Sequence, residues 1–228
     1  MSQIEFDHVS KYFMNEKRRF AAIDELSLSI EPGEFVFLIG SSGAGKTTLL
    51  RLLANHITPE SGAIWVEGQQ VNRIPQWRRP LYRRRIGQVW QEPALIRENL
   101  EIVQRAMGVS HRIILENTMK ALSIVGMRNM ADAYPYMLSG GQIKLVELAR
   151  AIICNPHILL LDEITANLDD DTGWDIMNIL NEINRRGTTI VMATHAKNFV
   201  NIMCRRVVTL VAGRVAGDVE KGKYGELH

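Results

Sequence analysis

The sequence predicts an α/β fold in which a mainly parallel sheet core carries a small antiparallel β subdomain and an α-helical subdomain. Three observations predict it. Phe35 to Ile39, Ile158 to Asp162 and Thr188 to His195 are short apolar runs rich in β-branched residues, the pattern of strands buried on both faces of a parallel sheet. Between the last two, Trp174, Met177, Leu180 and Ile183 recur at helical spacing, with Ile176 and Ile179 widening the stripe. Strand, helix, strand in that order makes a right-handed crossover. From Glu98 to Arg128 the texture shifts to helix formers with apolar residues at helical intervals and a break near Gly108.

Taken in chain order, Gln3 to Val9 alternates roughly as a strand, and Leu26 to Ile30 alternates cleanly before a turn at Pro32 and Gly33. Phe35 to Ile39 is the first buried strand, followed at once by a glycine-rich turn and a helix over about Lys46 to Asn55. AIWVEG, from Ala63, completes a small antiparallel patch. A strand precedes Gln91, the helical insert follows, and the helix KLVELARAII ends near Asn155 and Pro156. The chain is expected to be one domain: residues 1–91 and 155–228 form a core with the β subdomain, and residues 92–154 form the helical subdomain.

Bulk composition narrows the function. Of 228 residues 46% are hydrophobic, enough for a sizeable core, and a net charge of only +2 gives no overall basic field, so no nucleic-acid partner is expected. Cys154 and Cys204 show no metal-ligand spacing and are expected to be packed thiols in a reducing cytosol. The N-terminus lacks a signal-peptide core, and no apolar run approaches the roughly 20 residues that span a bilayer. Trp65, Trp90 and the methionines are expected in the core, and GKYGELH is expected to be an exposed tail.

The chemistry starts at Gly40, Ser41, Ser42, Gly43, Ala44, Gly45, Lys46, Thr47 and Thr48. Gly40, Gly45, Lys46 and Thr47 fit G-x-x-x-x-G-K-[ST], whose backbone N–H groups curl around phosphate oxygens. Lys46 is expected to reach the β- and γ-phosphates and the Thr47 hydroxyl to ligate Mg²⁺. The helix N-terminus there favours the same anion. Asp162, ending an apolar strand, is placed to join the Mg²⁺ shell, and Glu163 to polarise an attacking water. LSGGQ, Leu138 to Gln142, offers a second anion-binding helix start, with Ser139 as N-cap and Gly140 and Gly141 leaving N–H groups open. Either the chain binds two anions, or two copies share each one.

GSSGAGKTT, Gln91 after a strand, LSGGQ, LLLDE, ANLD and the histidine of MATH stand in the order of an ABC-type ATPase, which the chain resembles over nearly its whole length. HVSKYF, FVFLIGSSGAGKTTLL, RRRIGQVWQE and GRVAGDVEKGKYGE are similar to the branch that serves bacterial cell division. The resemblance implies ATP and Mg²⁺ as cofactors. It implies that Phe13 stacks on adenine, with Tyr12 a neighbouring candidate, and that Gln91 completes the Mg²⁺ and water shell. It further implies that His195 contacts the γ-phosphate, that Asp169 faces an opposite subunit, and that Ser139, Gly140, Gly141 and Gln142 close over the phosphate loop of a second copy. The expected assembly is an ATP-dependent head-to-tail homodimer, cytoplasmic and peripheral on the inner face of the membrane. It would reach the membrane through a separate transmembrane protein and regulate peptidoglycan hydrolysis. A lipoprotein or drug exporter ATPase of the same branch, or a low-turnover ATP-gated clamp, are the alternatives.

Three departures mark the sequence. Ile164 stands where a proline usually follows the glutamate. IKLVELARA lacks the usual glutamine and arginine, with Lys144 the nearby charge. The loop between Glu92 and Asn99 is short. RRPLYRRRIG could attract anionic lipid at about 1 kcal/mol per charge, but a solvated or internally paired face is the expected reading.

Overall fold

Alternation along single strands divides the interior in two. The computed structural model describes residues 2–15, 18–89, 100–101, 104–133 and 135–226. Strands β1 (Ile4–Asn15), β2 (Arg18–Ile30), β3 (Phe35–Ile39), β4 (Ser61–Val66), β5 (Gln69–Gln70), β6 (Ile86–Val89), β7 (Ile158–Asp162), β8 (Thr189–Ala193), β9 (Arg206–Val211) and β10 (Arg214–Val219) form two sheets. One is antiparallel, in the order β2-β1-β4-β5; the other runs β10-β9-β3-β8-β7-β6. In the second sheet β6, β7, β8, β3 and β9 are parallel and β10 closes the edge antiparallel.

Every residue of β3, β7 and β8 is buried. Phe35, Phe37 and Ile39 enter one core with Leu159, Leu161, Ile190 and Met192. Val36 and Leu38 enter the other, shared with the antiparallel sheet and with helix α1 (Lys46–Leu53). That is the physical content of an apolar run in a parallel sheet: both faces need cover. The first core is covered by α3 (His111–Ile124), α4 (Gly140–Ile152) and α5 (Asp170–Arg185). The short helices α2 (Arg79–Arg83) and α6 (Lys197–Met203) precede β6 and β9.

Two C-terminal strands, β9 and β10, add to those read from the sequence. Arg206 opens β9 and is held by three hydrogen bonds: two to Asp218 of β10 at 2.8 and 2.7 Å and one to Glu34, just before β3, at 2.8 Å. A charged residue at a strand start thus becomes a clip between distant segments.

Some expectations are corrected. Trp65 is 38% exposed, because β4 alternates and its neighbours Ile64 and Val66 take the core side. Trp90 lies outside the described residues. Met177 and Met192 are buried, but Met14, Met107 and Met137 are exposed, at the β1–β2 hairpin and on the helical side. Cys154 is half-buried, whereas Cys204 is exposed, capping α6 in a left-handed conformation at φ 46°. The tail is anchored at Tyr224: its N–H donates to Asn201 Oδ1 at 2.7 Å and its ring packs on the core. Helix α1 ends at Leu53, and Asn55 turns the chain at φ 52°.

Candidate functional site

The loop Gly40–Gly45 leaves the C-terminal end of β3 between two pieces of backbone that fix its path. A Cβ on Gly40 would lie 2.3 Å from the Leu210 carbonyl oxygen, and one on Gly45 2.4 Å from that of Ala22. Both glycines are in left-handed territory, at φ 146° and 106°. The turn between β9 and β10 braces the loop from behind: the Gly213 N–H donates to Ala44 O at 3.1 Å, and Gly213 O accepts from Asp24 N at 3.0 Å. Gly45 is the N-cap of α1, so the helix's unpaired N–H groups open at the loop.

Lys46 is only 7% exposed. Its ammonium donates to Gly40 O at 2.9 Å and Ser41 O at 3.1 Å, and lies 3.0 Å from His195 Nε2. An ammonium has no lone pair, so in this contact it is Lys46 that donates. Burial lowers the Lys46 pKa, and Glu163 and Asp162 oppose that shift. The lysine thus sits among carbonyls and a ring nitrogen that a phosphate oxygen would outbid as acceptors.

Across the cleft, Asp162 ends β7 almost wholly buried, with the Thr47 hydroxyl beside it. Burial raises its pKa, with Thr47, Arg51 and Lys46 pulling the other way. A hydroxyl beside a carboxylate supplies hard oxygen donors of the kind Mg²⁺ takes along with phosphate oxygens and water. Glu163 follows at φ 53°, a strained setting for a non-glycine residue, held by Glu163 N donating to Ala193 O and Ala166 N donating to Glu163 O, both at 3.0 Å. Its Oε2 accepts from the His195 N–H at 3.3 Å, while its buried Oε1 has no hydrogen-bond partner and stands 3.5 Å from His195 Nε2. Burial raises the Glu163 pKa, against the pull of His195 and Lys46. One spare, poorly solvated carboxylate oxygen is what accepting a proton from water requires.

Lys46, Thr47, Glu163 and His195 line one cleft of about 600 Å³; Gly40, Ser41, Ala44 and Asp162 are not among its lining residues. Ser42, Gly43, Gly45, Lys46, Thr47 and Thr48 line its phosphate-loop side, Glu163, Ala166, Asn167 and His195 face them, and Phe13, Phe20 and Ala22 form the outer wall. Phe13 and Phe20 are paired across the β1–β2 hairpin, with ring centroids 6.1 Å apart. Tyr12 is not among the lining residues; the Arg19 guanidinium lies 4.0 Å from its ring centroid. Phe20 and Asn167 were not singled out from sequence. The signal for Phe20 is the hairpin register that sets it opposite Phe13, and for Asn167 the positive φ of 61° that turns the ANLD loop toward the cleft.

Ser139, Gly140, Gly141 and Gln142 do not line this cleft. They begin α4 with a reciprocal capping box: Gln142 N donates to Ser139 Oγ at 3.2 Å and Ser139 N to Gln142 Oε1 at 2.9 Å. Gly141 packs where a Cβ would meet Thr172 at 2.7 Å, while above Gly140 nothing lies within 4 Å. Asp169 is the N-cap of α5, accepting from Thr172 N at 2.9 Å and the Thr172 hydroxyl at 2.8 Å, which lowers its pKa. Lys144 pairs with the buried Glu147 at 3.0 Å, and Ile164 is fully buried in the helix-covered core. Gln91 and the short loop 92–99 lie outside the described residues.

Residues 23–166 match the family profile described as ABC transporter. The chain is 39% identical to the cell division ATP-binding protein FtsE of Streptococcus pneumoniae strain D39, covering 99% of each chain. It is 40% identical to FtsE of Mycobacterium tuberculosis, covering 97% of this chain and 98% of that one. Among solved structures it is similar to the ATP-binding cassette MJ0796 in a dimeric post-hydrolysis state bound to ADP and Pi. The TM-score there is 0.88 at 29% identity, covering 97% of this chain and 100% of the other.

Proposed function

Because the chain belongs to the ABC transporter family and is an ABC-type ATPase, we propose that it is the ATP-binding and hydrolysing subunit of an FtsEX-like complex. In that complex it couples ATP-driven closure of a homodimer to an FtsX-like transmembrane protein and so regulates peptidoglycan hydrolysis in cell division. Full-length likeness to several proteins named FtsE is the observation that carries the cell-division assignment.

The chain's own residues support the chemistry. Lys46 and the N-terminus of α1 bind and orient the β- and γ-phosphates, and Phe13 with Phe20 walls the base. Thr47 and Asp162, with Gln91, would hold Mg²⁺, which would screen phosphate charge and orient the γ-phosphoryl group. Glu163 takes the proton of the attacking water at Oε1, and His195 moves from Lys46 to the γ-phosphate. Since the helix start at Ser139–Gln142 lies outside the cleft, a second copy supplies it in head-to-tail pairing, with Asp169 at the seam. Residues 1–91 and 155–228 then act as the gripping body and 92–154 as the part that carries the closing helix. Losing the γ-phosphate removes contacts made only in the closed pair, and the pair opens. No helix among the described residues is long and apolar enough to cross a membrane; in this reading the partner spans the bilayer and this chain sits on its cytoplasmic face.

The test is to isolate the Glu163→Gln protein from membranes in MgATP. A paired cassette retained with a four-span FtsX-like protein is the expected result. Recovery as a single copy with ATP bound, or with a different membrane protein, overturns the reading.

A further inference from the structure

We propose that the surface around Trp77 and Leu81 lies directly on an anionic lipid bilayer, giving this chain a membrane contact of its own. Between Gly68 and Gln91 the sequence holds six arginines (Arg73, Arg78, Arg79, Arg83, Arg84 and Arg85) and no acidic residue. The whole chain has 27 basic against 25 acidic residues; with these six set aside the remainder is 21 against 25, so the positive charge is concentrated here.

The sequence alone points to a solvated or internally paired face, and the structure pairs only part of it. Arg85 pairs with Glu67, Arg79 donates to Ile74 O at 3.5 Å and Arg83 to Asn55 O at 3.3 Å. Donation to a carbonyl neutralises no charge. Arg73 and Arg78 remain exposed, and Arg78 stacks on Trp77 at 4.4 Å from the ring centroid. Trp77 is 69% and Leu81 53% exposed, large apolar groups left in water beside the cations. Arg73, Arg78, Arg85, Ile74 and Leu81 border a groove of about 260 Å³. That is room for a phosphate headgroup but too little for a docked helix. Exposed Trp and Leu ringed by arginines is the chemistry of a bilayer interface: indole and leucyl groups enter the headgroup layer while guanidinium groups hold lipid phosphates.

The experiment sediments the purified full chain with vesicles of equal parts phosphatidylglycerol and phosphatidylcholine, with pure phosphatidylcholine as reference. Binding to the mixed vesicles alone, weakened by salt, is expected. Arg73→Gln with Arg78→Gln should weaken partitioning about 30-fold, at roughly 1 kcal/mol per charge. Trp77→Ala with Leu81→Ala should weaken it about tenfold or more. The same charge removed at Lys120 and Arg128 should change it far less, and ATPase activity in solution should be unchanged in every variant. Failure to bind the mixed vesicles, or equal loss in the Lys120/Arg128 control, overturns the proposal. Because no transmembrane protein is present in the assay, such a failure leaves the cell-division reading standing.

Discussion

The two helix starts that carry glycines, at Gly45 and at Ser139, are built on opposite principles. The first is held by distant chain: Ala22, Leu210 and Gly213 fix its backbone, and it faces the buried Lys46 and Asp162 and the half-buried Glu163, whose pKa values burial has shifted. The second is self-sufficient, closed by its own Ser139–Gln142 box, with open space above Gly140. Unspent interaction is concentrated on one side, where a triphosphate and metal would satisfy it. The other side is a finished surface that needs only to be brought up to its target.

The largest test of that contrast is Glu163→Gln. Turnover should fall about 10²–10⁴-fold while ATP affinity, measured by equilibrium binding, stays within a few-fold; equal loss of both would place Glu163 in binding rather than proton transfer. Next, Gly45→Ala should cost roughly 2–4 kcal/mol of fold stability in denaturant titration. Gly140→Ala should leave stability within about 0.5 kcal/mol yet reduce hydrolysis, because its Cβ intrudes only on what approaches from outside. Equal destabilisation by the two would erase the distinction. Ser139→Ala, which opens the capping box, should cost about 1 kcal/mol, and Phe20→Ala should weaken ATP binding about 3- to 10-fold without weakening inorganic triphosphate.

The smallest effect is electrostatic. A carboxylate whose folded pKa is raised favours the fold below its ordinary pKa and loses that contribution as pH rises through the raised value, so ionised Glu163 works against the ligand-free fold near neutral pH. Glu163→Gln should therefore melt higher by about 1–3 °C at pH 7, a modest figure because the side chain is partly solvated. The difference should vanish below about pH 4, where the carboxyl is protonated folded and unfolded. A gap that persisted there would have another origin.

The parallel strands were legible because burial on two faces leaves no polar positions, and the phosphate loop because its spacing is a backbone requirement. β9 and β10 were harder: Arg206 opens β9, and its partners Glu34 and Asp218 are joined to it only by the fold. Phe13 is visible as an aromatic near a strand end, but Phe20 becomes its pair only through the register of β1 with β2. Glu163 can be named from LLLDE, yet its φ of 53° and its orphan oxygen are properties of the folded turn. For Trp65 size suggests the core, while alternation in a half-covered sheet decides the side and leaves it exposed.

The Gly213 contacts carry an evolutionary consequence. Ala44 and Gly213 are far apart in the gene, and the second does not line the cleft, yet a side chain at Gly213 would press on Ala22 at 2.7 Å and disturb the amide that holds Ala44. Selections for cells with failing ATP use should therefore recover lesions at Gly213, and suppressors of such lesions should fall in the hairpin that contains Ala22.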